Sequence, residues 1–277
     1  SLVEQMYKDF LDYGWDADSY CHRIYSGREK SNDAPVTITT WQSVYKLERS
    51  FFEEYGVIIG DEAHLFKSKS LIQIMTKLHH AKYRFGFTGT LDGTQTHKWV
   101  LEGLFGPSYK VTQTKKLQDE GHLAKLDIQC IVLKHKPQKF DVFEDEIQFL
   151  IGHPTRNKFI SNLALDLKGN TLILYARVEA HGAVLYEDLN NRAEEDRKVF
   201  FIHGGVDAED REEVRRITEE QNNAIIVASY GTFSTGINIK NLHNVIFASP
   251  SKSRIRNLQS IGRVLRKGKD KVKAKLY

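Results

Sequence analysis

Two adjacent carboxylates follow a short apolar run near residue 60. Residues 57–60, Val-Ile-Ile-Gly, read as a buried strand, and Asp61 and Glu62 come directly after it. In open α/β folds, ligands bind at the carboxyl ends of parallel strands. One acid can hold Mg²⁺ through its water shell, and the next can orient or deprotonate an attacking water. A solvated turn is the alternative, although Asp-Glu-Ala-His after an apolar strand should arise by chance roughly once in several hundred such chains.

Arg263 and Arg266 are a second candidate. Arginines three residues apart on a helix share a face, and their planar guanidinium groups suit phosphate oxygens. A solvated basic helix face would explain such a pair equally well. The pair belongs to residues 259–266, Gln-Ser-Ile-Gly-Arg-Val-Leu-Arg, which follow the small-residue stretch 229–238. This placement favours a phosphate site.

Short runs rich in β-branched residues alternate with polar stretches that have helical spacing. Strands are predicted at residues 36–39, 57–60, 83–87, 171–175, 199–202, 224–228 and 244–248. Strand and helix in alternation predict an α/β fold with parallel sheets and right-handed crossovers. The alternation breaks between Gly106 and Asn157, so we place a domain boundary near Lys125, with a strand over 126–133. The predicted domains are residues 1–125 and 126–277.

Composition excludes several classes of protein. With 40% hydrophobic and 27% charged residues over 277 positions, the chain is neither collagenous nor disordered. No apolar run approaches the roughly 18 residues of a membrane span, and no signal peptide is visible, so we expect a cytoplasmic protein. Cys21 and Cys130 lie far apart without metal-site spacing and are predicted to be buried thiols.

The formal charge of +4 is too small to indicate a nucleic-acid partner by itself. The cations do cluster near the end of the chain, at Arg254, Arg256, Arg263, Arg266, Lys267, Lys269, Lys271, Lys273 and Lys275. Such a run is typical of a solvated or disordered end. The function of the lysines after Arg266 therefore stays open.

The order of these motifs resembles that of the superfamily 2 helicases. The matching stretches are residues 2–6 (end of motif Ia), 40–43 (Ib), 61–64 (II), 88–90 (III), 172–177 (IV), 229–238 (V) and 259–266 (VI). Within that family, the chain resembles the recombination helicases of T4-like phages along its whole length. The resemblance implies two RecA-like parallel-sheet domains, with ATP and Mg²⁺ as cofactors.

The resemblance also implies a role for each matching residue. Asp61 would coordinate Mg²⁺, Glu62 would position the hydrolytic water, and His64 with Thr88 and Thr90 would couple the nucleotide to the nucleic acid. Arg263 and Arg266 would be arginine fingers on the γ-phosphate with Gln259 beside them, and Gly236 and Asn238 would sense domain closure. Many relatives carry an acid where this chain has Asn238, so its role stays open.

The partner implied by the resemblance is DNA, branched or single-stranded, bound by a monomer without a membrane. The implied function is ATP-dependent translocation on branched DNA in recombination, repair and replication-fork processing, in the host cytoplasm if the protein is phage-encoded. Candidate contacts to the nucleic acid are Thr40, Trp41, Gln42, Arg177 and His203. Trp41 could stack on a base or fill the core, and His203 could be a structural histidine.

One expected motif is missing. No stretch of the sequence matches the phosphate-binding pattern G-x-x-x-x-G-K-[ST]. We expect a first domain truncated at its N-terminus, a chain cut at both ends, and negligible ATP hydrolysis by these 277 residues alone. Two other functions stay open: an RNA-directed helicase, because RNA remodellers share Asp-Glu-Ala-His, and a non-catalytic nucleic-acid-binding module.

Overall fold

The computed structural model describes residues 2–25, 27–30, 33–91, 93–236, 239–268 and 271–277. The chain divides into two units, residues 1–109 and 110–277. Both units combine helices with parallel strands, so the predicted α/β class is confirmed. The boundary near Lys125 stays a prediction.

The first unit contains two small parallel sheets. In chain order its described elements are α1 (Leu2–Asp12), α2 (Ala17–Tyr20), β1 (Cys21–Ile24), β2 (Val36–Thr39), α3 (Trp41–Val44), α4 (Arg49–Glu53), β3 (Val57–Gly60), a 3₁₀ helix (Ala63–Leu65), α5 (Lys69–Lys77), β4 (Tyr83–Gly86) and α6 (Gln95–Phe105). Strand β1 pairs with β2, and β3 pairs with β4 so that Gly60 lies opposite Gly86. Helix α1 buries Val3 and Tyr7 in a cluster with Ile38 of β2.

Strand β3 is less buried than the sequence predicts. Ile58 packs against the core formed with α5, whereas Val57 and Ile59 are 50% and 68% exposed. Successive side chains of a strand point to opposite faces, and a two-stranded sheet packed on one side leaves its other face open. The prediction of a fully buried strand is therefore wrong for the face of Val57 and Ile59.

The second unit is built on a six-stranded parallel sheet in the order β5-β10-β9-β6-β8-β7. Its described elements are α7 (Thr114–Asp119), β5 (Lys125–Ile128), α8 (Phe143–Gly152), α9 (Pro154–Asp166), β6 (Thr171–Tyr175), a π-helix (Val178–Ala183), α10 (Val184–Arg192), β7 (Val199–Ile202), α11 (Ala208–Glu220), β8 (Ile225–Ser229), α12 (Tyr230–Gly236), β9 (Asn244–Phe247), α13 (Arg254–Val264) and β10 (Lys273–Leu276).

The two central strands explain why this sheet forms. Every residue of β6 is buried, and β8 is buried from Ile225 to Ala228. Leu172 and Leu174 enter one hydrophobic cluster, while Ile173 and Tyr175 enter another. Two apolar faces are the pattern of a parallel sheet covered on both sides. The continuous apolar runs in the sequence predicted these strands for this reason.

Two local predictions are wrong. Strand β5 ends at Ile128, although the apolar pattern extends to Leu133. Cys130 is exposed and Cys21 is half-buried, so neither is a buried thiol. Lys271, one of the lysines whose function the sequence leaves open, is buried. Among the described residues, no helix has the length and apolar character needed to cross a bilayer.

Gly60 at the end of β3 allows a close approach of two aromatic rings. A Cβ atom at this position would lie 2.8 Å from Cζ of Phe66 and 3.1 Å from Cζ of Phe105. The two rings contact each other edge to face, with centroids 5.0 Å apart. We therefore expect Gly60→Ala to lower the free energy of unfolding of the first unit by about 1–3 kcal/mol through overpacking.

Urea unfolding followed by tryptophan fluorescence measures this change, because all three tryptophans, at positions 15, 41 and 99, lie in the first unit. Gly56→Ala is the matched control, since a Cβ atom there would meet nothing within 4 Å. Equal stability of the two variants would contradict the close packing at Gly60.

Candidate functional site

The acidic pair lies at the carboxyl end of β3, as the sequence predicts. Glu62 follows the strand in a left-handed backbone conformation, φ 48° and ψ 49°, which costs a residue with a side chain about 1–2 kcal/mol. The Asp61 carboxylate accepts a hydrogen bond from the Glu62 N–H at 2.8 Å. The Ala63 N–H donates to the Phe87 carbonyl at 2.8 Å. These bonds connect the ends of β3 and β4 and orient the two acids.

His64 connects the acidic pair to the residues after β4. Its Nδ1 atom lies 3.2 Å from Oε2 of Glu62 and 3.0 Å from Oγ1 of Thr88. The Thr88 hydroxyl donates to the Thr90 carbonyl at 3.0 Å, so its oxygen accepts from His64. Burial lowers the pKa of His64, and the Glu62 carboxylate opposes that shift. His64 is therefore neutral at pH 7, with its proton on Nδ1 between Glu62 and Thr88.

The residues near β3 and β4 fit a magnesium nucleotide in part. Asp61 and Glu62 supply oxygen ligands of the kind that Mg²⁺ prefers. Thr90 Oγ1 is buried and has no hydrogen-bond partner among the described residues, which leaves a polar atom for a bound group. The phosphate-binding pattern is absent from these 277 residues. The chain thus offers groups for the cation and the water, without the loop that holds the phosphates.

A separate group of metal-ligating side chains lies on the surface of the first unit. Glu53, His79 and His80 each offer a ligand atom, and these atoms lie within 4.8 Å of one another. Arg49 donates to Nδ1 of His79 at 3.2 Å and lies 3.7 Å from Glu53. This fixed positive charge opposes a second cation. Within the described ranges, this trio is the one such group, and Asp61 is not part of it.

The motif VI residues occupy the end of α13 and the segment after it. Gln259 and Arg263 are half-buried on the helix. Arg266 lies beyond the helix, which ends at Val264, and forms an isolated antiparallel bridge with Leu123. The prediction that both arginines share one helix face is wrong, because the chain leaves the helix between them.

The motif V residues are described in part. Gly236 ends α12, and Asn238 lies outside the described residues. The Ser229 hydroxyl accepts the Thr232 N–H at 3.2 Å at the start of α12. Strand β8 thus leads directly into α12, and the Ser229 side chain caps the first turn of that helix. The assignments of Gly236 and Asn238 stay predictions.

Arg177 follows β6 and forms an ion pair. Its guanidinium group lies 2.6 Å from a carboxylate oxygen of Glu144 in the first turn of α8, and both side chains are about half-exposed. Exposed pairs contribute about 0–1 kcal/mol, so a phosphate could replace Glu144 at small cost. His203 follows β7, and its Nδ1 atom accepts the Gly205 N–H at 3.1 Å. Both residues lie at the carboxyl edge of the six-stranded sheet.

The motif Ib residues lie at the start of α3 in the first unit. Trp41 packs against the hydrophobic core and contacts the Tyr45 ring edge to face, with centroids 5.6 Å apart. This packing favours a core function for Trp41 over base stacking. Gln42 is exposed, and Thr40 Oγ1 lies 3.0 Å from Ser43 Oγ. Gln42 is thus the most accessible of the three candidates.

A buried hydrogen-bond chain behind motif IV was not found from the sequence. The Ala176 N–H donates to Ser249 Oγ at 3.0 Å, and Ser249 Oγ lies 2.8 Å from His181 Nδ1. His181 Nε2 lies 3.2 Å from Asn157 Oδ1, and Asn157 Nδ2 donates to the Ile151 carbonyl at 2.7 Å. The complete chain requires neutral His181 with its proton on Nε2. The polar side chains come from three distant segments, and nothing in the sequence indicates that they would meet.

The second unit, with its parallel sheet and its motif residues at the carboxyl edge, has the RecA-like architecture expected of a helicase domain. Two family profiles match the chain. Residues 1–93 match "Type III restriction enzyme, res subunit" and residues 155–268 match "Helicase conserved C-terminal domain".

Individual proteins support the same assignment. The chain is 35% identical to the ATP-dependent DNA helicase uvsW of Enterobacteria phage T4, over 100% of this chain and 57% of that protein. It is 26% identical to a protein of Acanthamoeba polyphaga mimivirus that is named as an ATP-dependent RNA helicase, L396, over 84% of this chain and 45% of that protein. The chain spans about half the length of these relatives.

Among solved structures, a fragment described as an HsdR subunit of a type I restriction enzyme from Vibrio vulnificus YJ016 has the same fold. Its TM-score is 0.73 at 20% identity, over 96% of this chain and 50% of that one. The chain belongs to the superfamily 2 helicases. The predicted resemblance to a T4-like phage helicase is confirmed.

His181 should make the stability of the second unit depend on pH. Burial lowers its pKa to about 4. Since the unfolded chain takes up this proton near pH 6.5 and the folded chain does not, stability is complete above pH 6.5 and is lost as the pH falls towards 4. The expected loss from this group is about 1.4 kcal/mol per pH unit in that window.

Urea unfolding followed by circular dichroism at about pH 7, 6 and 5 measures this loss. His181→Gln, which cannot titrate, should be less stable at neutral pH but should respond less to acid. Tryptophan fluorescence, which reports the first unit, is the internal control and should be the same in both proteins. An equally steep loss in the variant would exclude His181 as its cause.

Proposed function

We propose that the protein is an ATP-dependent DNA helicase or translocase that acts on branched DNA in recombination, repair and replication-fork processing. The observation that carries the proposal is the contact of one histidine, His64, with both Glu62 and Thr88. That contact joins the acids after β3 to the hydroxyl after β4. The name of the T4 relative, an ATP-dependent DNA helicase, supports DNA as the substrate.

Each candidate residue has a separate role in the proposed hydrolysis of ATP. MgATP, when bound, supplies the phosphoanhydride bond and the cation that neutralises phosphate charge. In our proposal, Asp61 would hold the cation, and Glu62 would orient the attacking water and accept its proton. The His64 N–H would hold the Glu62 carboxylate in place for this role. Arg263 and Arg266 stabilise charge on the γ-phosphate, an effect worth about 10³–10⁵ in rate in other phosphoryl-transfer enzymes.

Nucleic acid would bind along the carboxyl edges of the sheets. The candidate contacts there are the accessible or half-exposed Gln42, Arg177 and His203, with Thr40 and Trp41 as further candidates. Their contacts would be largely to phosphates.

We propose a monomer that acts in the cytoplasm, the host's if the protein is phage-encoded. An RNA substrate is the second candidate, favoured by the name of the mimivirus relative. A non-catalytic binding module is the third.

Glu62→Gln in the full-length protein tests the proposal. The amide cannot accept a proton from water, whereas Asp61 still holds the cation. We expect ATP binding within about twofold of wild type and turnover reduced at least about 100-fold. Steady-state ATP hydrolysis and nucleotide titration, with forked DNA and single-stranded RNA as stimulators, measure both quantities. Glu54→Gln, an exposed acid of the same unit, is the control and should hydrolyse ATP normally.

Each alternative gives a distinct outcome in this experiment. Stronger stimulation by RNA than by forked DNA would favour the RNA-directed helicase. A wild-type protein that binds DNA but hydrolyses no ATP would favour the binding module. Normal turnover in Glu62→Gln would show that another group activates the water.

The ion pair of Arg177 leads to a separate expectation about affinity. Glu144→Gln removes the carboxylate that competes with phosphate, so we expect forked DNA to bind about two- to fivefold more tightly and with a steeper salt dependence. Fluorescence anisotropy at several salt concentrations measures both effects. Glu146→Gln makes the same charge change in the same helical turn. Equal affinity of the two variants would remove Arg177 from the predicted nucleic-acid contacts.

A further inference from the structure

Lys271 is buried, although it belongs to the basic run near the end of the sequence. Its relative exposure is 3%. Its Nζ atom donates to three main-chain carbonyls: that of Val264, that of Arg266 at 2.9 Å and that of Lys240 at 3.2 Å. Burial lowers its pKa to about 8, so the ammonium group still carries its three hydrogens at pH 7. Three donors therefore meet three acceptors.

The three carbonyls come from two functional segments. Val264 is the last residue of α13 and Arg266 lies two positions beyond it, where helix carbonyls lack partners within the helix and attract a positive charge. Lys240 follows the motif V residues and, like Lys271, is not part of any described helix or strand. Its N–H lies 3.4 Å from Oε1 of Glu219. Lys271 thus links the segment that follows motif V to the end of motif VI.

We infer that Lys271 is a positioning residue that holds Arg263 and Arg266 in register with the motif V segment. The inference rests on the proposed ATP hydrolysis, in which these arginines contact the γ-phosphate. The main chain of Arg266, two residues beyond the end of α13, contacts Lys271 through its carbonyl and pairs with Leu123 in an antiparallel bridge. A neutral side chain of the same length would fill the space but would leave the three carbonyls without the donors that Lys271 supplies.

The same kind of contact occurs at a second helix, remote from the motifs. Arg197 donates to the carbonyls of Ala164 at 3.0 Å and Leu167 at 2.9 Å, and to that of Leu165, at the end of α9. Arg197→Met is therefore a matched structural control, because it removes a buried cation from a helix end without touching motifs V and VI. Lys273→Met is the surface control, since Lys273 pairs with Asp127 at an exposed position.

The test is a double-mutant cycle in the full-length protein. We expect Lys271→Met to lower kcat at least about tenfold with KM for ATP within about twofold, as for loss of an interaction made in the transition state. In an Arg263→Ala background the same change should alter kcat less than about twofold, because its effect passes through the arginine. Arg197→Met should lower the melting temperature, and any effect it has on kcat should be the same in both backgrounds.

Additive losses for Lys271→Met and Arg263→Ala would overturn the inference. The melting temperature separates this result from failure of the proposed function: even if no variant hydrolyses ATP, Lys271→Met should melt several degrees lower than Lys273→Met. Equal melting of those two variants would show that the three-carbonyl contact is absent. If Lys271→Met does not fold, Lys271→Arg replaces it in the double-mutant cycle. We then expect a smaller loss of kcat, which again disappears in the Arg263→Ala background.

Discussion

Burial of β6 and β8 on both faces is the constraint on which the second unit depends. Two strands without a polar face can lie only inside a sheet that is covered on both sides, and their neighbours must then be parallel strands joined by helices. All six strands therefore end at one edge. Three polar residues lie at that edge: Arg177 after β6, His203 after β7 and Ser249 after β9. Core packing alone places them there, without any contribution from a ligand.

The first unit orients its acids differently. Its sheet is small, and the position of Glu62 depends on the main chain, through a left-handed conformation that glycine would adopt more easily. The hydrogen bonds made by Asp61, Ala63 and His64 offset that cost. Gly60 allows the rings of Phe66 and Phe105 to approach the end of β3 closely. Core packing and the hydrogen bonds of the turn therefore both stabilise its conformation. An acid held in this way loses little further freedom on binding a ligand.

The sequence predicted most strands and the acidic pair because those features are local. A run such as residues 171–175 carries its own burial pattern, and Asp61 follows its strand directly. Features that depend on distant partners were missed. Nothing near Lys271 indicates that the carbonyls of Lys240, Val264 and Arg266 would surround it, and a run of lysines ordinarily indicates solvent.

The same distinction explains the other errors. Arg-x-x-Arg fits helical spacing and predicts a helix through Arg266, but α13 ends at Val264 and Arg266 pairs with the distant Leu123. Val57 and Ile59 were assigned to a core because they are apolar, and their burial depends on which elements cover the sheet. Ser249 and His181 are single polar residues in separate segments, and only the folded sheet brings them together.

The pairing of β5 with β10 has a consequence for the order of folding. These are the first and last strands of the second unit, and Lys125 lies opposite Lys273. During synthesis, β5 leaves the ribosome long before its partner exists, and closing so long a loop is entropically costly. The central strands can pair earlier. Lys271 lies two residues before β10, so the strand that is synthesised last of these six also brings the cation that contacts the carbonyls at the end of α13.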